Sequence, residues 1–112
     1  MKKRPEIFFD HMLIAINTIE KYIHDYNYKK FMEDSKTTDA VIRQLEILGE
    51  AASNIPLKIV IDSPISWHSI VGMRNRLIHD YFGVDLEIVW KTSKKSLGSL
   101  KKYLQTKLST KF

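Results

Sequence analysis

The spacing of the apolar residues constrains the fold of this chain most strongly, because these residues recur every three or four positions over long stretches. Such a stripe covers one face of an α-helix, and no stretch shows the two-residue alternation of a strand. Short breaks separate the stripes, and no internal repeat is present. The sequence therefore predicts an all-α fold, an up-and-down helical bundle of four main helices plus short turns, as a single domain over residues 1–112.

Proline, glycine and capping residues mark where these helices begin and end. Asp34 and the polar residues after it form a capping cluster, and Asp85 is a second candidate cap. The main helices are predicted over residues 5–26, 38–54, 66 or 69 to 82, and 86 onward.

Each predicted helix offers one apolar face to the core. In the first helix this face consists of Phe8, Met12, Ala15, Ile16, Ile19, Tyr22, Ile23 and Tyr26. In the second it consists of Val41, Leu45, Leu48, Ala52 and Ile55. In the last it consists of Leu86, Trp90, Ser93, Leu97, Leu100, Leu104 and Leu108. We expect the last stripe to be buried within the monomer, although a dimerising coiled coil would use the same residues.

Two single residues also bear on packing. Gly49 interrupts the second helix, where a glycine costs about 1 kcal/mol relative to alanine, so we expect another backbone to approach it closely. Trp67 is interpreted as a core anchor, with a platform for stacking RNA bases as the alternative. We therefore predict a close helix–helix contact at Gly49 and a buried side chain at Trp67.

Charge and composition exclude several classes of protein. Eighteen basic and thirteen acidic residues give a net charge of +5, which favours RNA or an acidic partner without identifying either. The chain contains no cysteine, so neither a disulfide framework nor a thiolate metal site can form. No apolar run approaches the length of a membrane span, and we expect a cytoplasmic protein with no membrane partner.

The histidines do not suggest a metal site. His11 and His24 lie among polar neighbours and are expected at the surface, and His68 has no assigned role. None of the four histidines has the spacing of a zinc pair. The chain also lacks a glycine-rich phosphate loop, so we expect neither a bound cofactor nor ATP binding.

The residues that carry chemistry gather between positions 72 and 81. Arg74 has a permanent charge on a planar group that can hold two phosphate oxygens. His79 can take or give a proton near pH 7. Together they can cleave RNA without a metal, because the ribose 2′-hydroxyl supplies the nucleophile. DNA lacks that hydroxyl and is not expected as a substrate.

Helix geometry limits how these residues cooperate. At about 100° per residue, Arg74 and His79 point roughly 140° apart, whereas Asn75 and His79 are neighbours. Asn75 is therefore a candidate to orient the imidazole. Cooperation of Arg74 with His79 requires a helix end at the motif or a second copy of the helix, as in a symmetric dimer. Arg74 lies among apolar residues, so we expect it to snorkel, to lie in a partly covered cleft, or to pair with Glu50 or Asp39.

Two polar residues of the second helix are candidates to support the site. Arg43 and Glu50 are seven positions apart and therefore share one face. They are interpreted as a supporting layer around the motif residues. An exposed or interhelical ion pair with no role in the site is the alternative.

Two long segments carry a family resemblance. Residues 67–85 read WHSIVGMRNRLIHDYFGVD, with Trp90 beyond them, and residues 39–52 read DAVIRQLEILGEAA. Both segments, in this order and spacing, closely resemble the HepT-like ribonucleases of the HEPN superfamily, and the resemblance covers nearly the whole chain. It implies a helical homodimer, the toxin of a toxin–antitoxin pair, that cleaves RNA without metal. The R-x4-H-x-Y motif of that family falls on Arg74, His79 and Tyr81.

The resemblance also implies a protein partner. The antitoxin of the family is MntA, a nucleotidyltransferase that silences the toxin by transferring AMP to the motif tyrosine, here Tyr81. A phenol that carries AMP beside Arg74 would occupy the phosphate site. Two functions stay open: an endoribonuclease toxin in which Tyr81 has a regulatory and supporting role, and a non-catalytic helical partner that presents Tyr81 as an AMPylation substrate.

Overall fold

Helices and turns account for the regular structure of this protein, whose computed structural model describes residues 4–79 and 83–109. These ranges contain no strand, which confirms the all-α prediction. The elements in chain order are α1 (Pro5–Ile23), α2 (Tyr28–Glu33), α3 (Ser35–Ser53), a 3₁₀ turn (Leu57–Ile59), α4 (Trp67–His79), α5 (Leu86–Lys91), a π-helical turn (Thr92–Ser96) and α6 (Leu97–Ser109).

Helix α3 is the central element of the bundle. It packs against α1 and against α4, while α1 also packs against α6. The short helix α2 contacts α3 and α5. Within the described ranges, no helix is long and apolar enough to cross a membrane. The arrangement places the helix that carries the motif directly against α3.

The core face of α1 differs from the predicted one at its two ends. Phe9, and not Phe8, is fully buried, and Tyr22 is 38% exposed. The helix ends at Ile23, so Tyr26 lies beyond it. Phe8 is four residues and Phe9 three residues before the buried Met12, so helical spacing allows either ring to face the core, and packing against the other helices selects Phe9. The buried residues of α1 are Phe9, Met12, Ala15, Ile16, Ile19 and Ile23.

Helix α3 begins three residues earlier than predicted because Asp34 is its cap. The Asp34 carboxylate accepts hydrogen bonds from the backbone N–H of Thr37 (3.1 Å), the Thr37 hydroxyl (2.8 Å) and the Tyr26 hydroxyl (2.5 Å). These bonds satisfy donors at the helix start and tie it to the chain that follows α1. The five residues predicted for the α3 core are all buried, namely Val41, Leu45, Leu48, Ala52 and Ile55.

The Asp34 cap makes stability depend on acid pH. Hydrogen bonds from Tyr26 and Thr37 lower the pKa of Asp34 from 3.8 to about 2. Because the folded pKa lies below the unfolded one, the stabilisation is fully present above about pH 4 and is lost as pH falls through about 2. We therefore expect Asp34→Asn to lower the thermal midpoint at neutral pH. The difference from wild type should shrink over that window in thermal melts followed by circular dichroism. A difference that stays constant down to pH 2 would contradict this assignment.

The predicted last helix is divided by a π-helical turn. The fully buried residues are Val89, Ser93, Leu97, Leu100 and Leu104, whereas Trp90 is only half-buried. Val89, Ser93 and Leu97 are each four residues apart, so the three span eight residues, which is more than two turns of an α-helix. The π-helical turn contains more residues per turn and so keeps all three side chains on the buried face, which an α-helical period alone does not predict. Ser93, Leu97, Leu100 and Leu104 of the predicted stripe are buried within the monomer, where α6 packs on α1, whereas Leu86 and Leu108 are half-buried.

Trp67 and Asp85 behave as predicted. The Trp67 side chain is 5% exposed, donates its indole N–H to the Ala52 carbonyl (3.0 Å) and lies edge-on to Phe9. It is a core anchor that joins the beginning of α4 to the end of α3. Asp85 caps α5 by accepting from the backbone N–H groups of Glu87 and Ile88. Ser66 similarly accepts from the Ser69 N–H, so α4 begins at the earlier of its two predicted starts.

Candidate active site

The motif helix lies unusually close to α3 at Gly49. A Cβ atom added to Gly49 would overlap the Arg74 Cβ and would lie 3.2 Å from the Ile70 carbonyl oxygen and 3.3 Å from the Arg74 Cα. The predicted close approach of another backbone at Gly49 is therefore confirmed. Because Gly49 has no side chain, the backbone of α4 at Arg74 can pack directly against α3.

Two oxygen atoms hold the Arg74 guanidinium. One terminal nitrogen lies 2.9 Å from a Glu50 carboxylate oxygen, across the interface between α3 and α4. The other donates to the Asn75 amide oxygen at 3.0 Å. The Arg74 side chain is 34% exposed. Of the alternatives predicted for Arg74, pairing with Glu50 and placement in a partly covered cleft both occur.

A cleft of about 360 Å³ opens beside this ion pair, between α1, α3 and α4. We call it the α1–α3–α4 cleft. Its lining combines apolar side chains with two arginines, two carboxylates, an asparagine and a histidine. At pH 7 the arginines and carboxylates balance, so the free cleft carries no large excess of positive charge. The lining residues are Phe8, His11, Arg43, Glu46, Ile47, Glu50, Ala51, Asn54, Arg74 and Ile78.

Arg43 and Glu50 share this cleft but do not pair with each other. Arg43 lies 3.5 Å from Glu46 within α3, and its side chain is 70% exposed. Glu50 instead pairs with Arg74 on the facing helix. Glu50 therefore contacts a motif residue directly, whereas Arg43 lies two helical turns away along α3 with its charge accessible to solvent.

Only part of the predicted motif lies in the described ranges. The backbone of His79 belongs to α4, but its side chain lies outside the described part of the structure. Tyr81 and the predicted helix end at Phe82 also lie outside the described residues. The Asn75 amide oxygen accepts from Arg74. Its role in orienting His79 stays a prediction, because the His79 side chain is outside the described part of the structure.

His11 is the residue of the cleft that sequence reasoning missed. The residue is exposed, as expected for a surface histidine, but it lines the same cleft as Arg74 and packs edge-on against Phe8 with ring centres 6.1 Å apart. The neighbours of His11 in the sequence give no hint of this position. The position of Phe8 outside the core, which places it beside His11 in the cleft, is known only from the structure, so the sequence carries no signal for His11.

Metal ligands are not clustered in the part of the chain that the structure describes. No three or more histidine, cysteine, aspartate or glutamate side chains lie close enough together there to hold an ion. The arrangement of Arg74 against Glu50 instead presents a guanidinium at the edge of a cleft. Such a group binds anionic oxygen atoms and can stabilise negative charge on them.

Known proteins resemble the chain over nearly its full length. A family model described as ribonuclease HepT-like matches residues 12–106. The "Probable ribonuclease HepT" of Thermococcus cleftensis is 42% identical over 102 residues, which span 90% of this chain and 93% of that protein. A "Putative RNase" of Caldanaerobacter subterraneus subsp. tengcongensis is 35% identical over 104 residues, which span 92% of this chain and 93% of that protein. No solved structure matches the chain at a significant level.

Proposed function

Because the chain belongs to the ribonuclease HepT-like family, we propose that it is a metal-independent endoribonuclease and the toxin of a toxin–antitoxin pair. The observation that carries the proposal is the Arg74 guanidinium, which lies at the edge of the α1–α3–α4 cleft with part of its surface open to solvent. A cation held at such an edge suits the phosphate of a bound RNA strand.

The proposed reaction uses the ribose 2′-hydroxyl of the substrate as nucleophile. His79 removes the proton from this hydroxyl, and the oxygen attacks the adjacent phosphorus. Arg74 stabilises the negative charge that builds on the phosphoryl oxygens. The bond from phosphorus to the 5′-oxygen then breaks, and that oxygen takes up a proton from the imidazolium of His79 or of its two-fold equivalent. The products are a 2′,3′-cyclic phosphate and a 5′-hydroxyl end.

The ion pair to Glu50 holds Arg74 before substrate arrives. Both side chains are partly exposed, so the pair contributes at most about 1 kcal/mol. A phosphate can therefore replace the Glu50 carboxylate at little cost while the guanidinium is already oriented. Asn75, bonded to the same guanidinium, supports this orientation from within α4.

The proposed active form is a homodimer. Arg74 and His79 point roughly 140° apart on one ideal helix, so a single copy of α4 does not bring them to one phosphate. A two-fold axis near the motif would set Arg74 of one protomer against His79 of the other. Each of the two equivalent sites would then contain residues from both protomers.

Regulation is proposed to act through Tyr81. An MntA-type nucleotidyltransferase would transfer AMP from ATP to the Tyr81 hydroxyl, forming a phosphodiester bond and releasing pyrophosphate. The attached AMP places a phosphate and a base two positions after His79 in sequence. It would compete with RNA for Arg74, because both ligands present phosphate oxygens to the same guanidinium.

The test is cleavage of a labelled structured RNA by the purified dimer in EDTA, with Tyr81 shown to be unmodified by mass spectrometry. We expect wild type to cut the RNA and leave cyclic phosphate ends. His79→Ala is expected to lower the rate by about 10²- to 10⁴-fold because the proton acceptor is lost. His68→Ala removes an exposed histidine from the beginning of the same helix and should leave the rate unchanged.

An intact RNA under these conditions would overturn the nuclease proposal for that substrate. The remaining interpretation would be a non-catalytic partner that presents Tyr81 to a nucleotidyltransferase. Equal loss in His68→Ala and His79→Ala would instead show that the helix, and not the imidazole of His79, had been disturbed.

A further inference from the structure

A second surface of the molecule combines exposed aromatic rings with lysines. It borders a shallow depression of about 240 Å³ between α2 and the segment from α5 to the π-helical turn. We call it the lysine–aromatic patch, and it shares no residue with the α1–α3–α4 cleft. Its residues are Tyr28, Glu87, Trp90, Lys91, Lys94 and Lys95.

One ring of the patch, Trp90, packs on the core, and the other, Tyr28, packs against Trp90. Trp90 rests on the buried Phe31, with ring centres 5.1 Å apart. Tyr28 lies edge-on to Trp90 at 6.4 Å and is 43% exposed. Because packing already restricts these rings, they lose little further conformational freedom when a ligand stacks on them.

The charge of the patch is positive and only partly compensated. Glu87 is its one acidic residue and lies 3.5 Å from the Lys91 ammonium. The Lys94 ammonium is 5.1 Å from the centre of the Trp90 ring, and Lys95 is exposed nearby. Two ammonium groups are thus available to an anion beside two aromatic rings, a combination that suits phosphates alternating with planar bases.

We infer that the lysine–aromatic patch binds a single-stranded segment of RNA outside the active site. One base stacks on Tyr28 or displaces Lys94 from Trp90, while Lys94 and Lys95 contact the flanking phosphates. The inference rests on the proposed function for the choice of RNA. An acidic protein segment would use the lysines but would leave the exposed ring of Tyr28 without a planar partner.

Binding at this surface has a consequence for substrate length. A strand that reaches both the patch and the cleft binds tighter than one that fills the cleft alone, because the second contact is intramolecular. The gain appears in KM for long substrates, while kcat for a short substrate depends on the cleft residues only.

The direct test measures the Kd of a fluorescent, 2′-O-methyl single-stranded RNA, which cannot be cut because its nucleophile is blocked. Lys94→Glu with Lys95→Glu is expected to raise Kd about 10-fold or more and to reduce the dependence of log Kd on log salt by about 1.4, since each single-strand phosphate contact contributes about 0.7. The matched control, Lys58→Glu with Lys102→Glu, makes the same charge change at exposed lysines of the 3₁₀ turn and α6.

The aromatic contribution is tested separately. Tyr28→Ala is expected to raise Kd about 5- to 100-fold through loss of base stacking. Tyr22→Ala is its control, because Tyr22 is exposed to a similar degree, 38%, on α1. Thermal melts of all variants show whether each is folded before its Kd is compared.

The outcomes separate this inference from the nuclease proposal. Equal Kd values for the patch variants and their controls would overturn the patch, even if the wild type cuts RNA. Tight binding that the patch substitutions weaken and their controls do not, by a protein that cuts no RNA, would support the patch and remove the nuclease proposal for that substrate. A loss on Lys94→Glu with Lys95→Glu but none on Tyr28→Ala, with polyglutamate competing as well as RNA, would assign the surface to an acidic protein and overturn the RNA assignment.

Discussion

Replacing Arg74 by lysine is expected to lower kcat for RNA cleavage by about 10²- to 10³-fold. Lysine keeps the positive charge but has a single ammonium group in place of the planar fork that can bond two phosphoryl oxygens at once. A preorganised donor aimed at a developing negative charge is worth this much in enzymes. The measurement is single-turnover cleavage of a labelled RNA at saturating protein.

Arg76→Lys is the matched control for Arg74→Lys. Arg76 belongs to the same helix, is exposed, and points about 200° away from Arg74, so it lines surfaces other than the α1–α3–α4 cleft. We expect the cleavage rate of the Arg76→Lys variant to stay within about two-fold of wild type, because substitution of a surface arginine away from the site has little effect. Equal losses for the two variants would contradict this assignment, because they would show that the loss does not come specifically from the planar group of Arg74.

Replacing Gly49 by alanine is expected to destabilise the fold and to impair cleavage together. The new Cβ would overlap the Arg74 Cβ, so α4 has to move away from α3. Overpacking of this kind costs about 1–3 kcal/mol, partly offset by about 1 kcal/mol of helix propensity. The net loss of up to about 2 kcal/mol is measured by urea unfolding. Because Arg74 moves with α4, a displacement of about 1 Å can also lower the rate by about 10²-fold.

Gly98→Ala is the control for Gly49→Ala, and we expect it to increase stability in the same urea unfolding experiment. Gly98 lies in α6, and apart from its chain neighbours and the backbone of its own helix no atom comes within 4 Å of a Cβ built there. The substitution should raise the free energy of unfolding by about 0.5–1 kcal/mol, since only helix propensity changes. If both variants were stabilised, the contact between Gly49 and Arg74 would not be as close as the structure has it.

Much of the fold follows from local rules that the sequence expresses directly. The apolar spacing predicts the main helices, and the capping residues Asp34, Ser66 and Asp85 mark where three of them begin. All five residues predicted for the α3 core are buried, and the helix also buries Thr38, Gly49 and Ala51, which the apolar spacing did not include. The errors on α1 and in the last helix have a different cause. Phe8 and Phe9 are equally apolar, and only packing against the other helices decides which one is buried.

The candidate site was predictable only where its residues are close in sequence. Arg74 was identified from its motif, and the glycine opposite it from the cost of a glycine inside a helix. The pairing of Arg74 with Glu50 was one of several alternatives, since Asp39 was equally available before the register of α3 against α4 was known. His11 was not identified, because its place beside Arg74 depends on three helices meeting across more than sixty residues of chain.

The two tryptophans give this protein a built-in pair of optical reporters. Trp67 is buried at the junction of α3 and α4, so its fluorescence follows the integrity of the bundle. Trp90 lies at the surface beneath the Lys94 ammonium, so its emission follows what displaces that lysine. With two such residues in the whole sequence, changing either one leaves a single signal. Unfolding and occupation of the lysine–aromatic patch can then be observed independently, in the same molecule and without an attached dye.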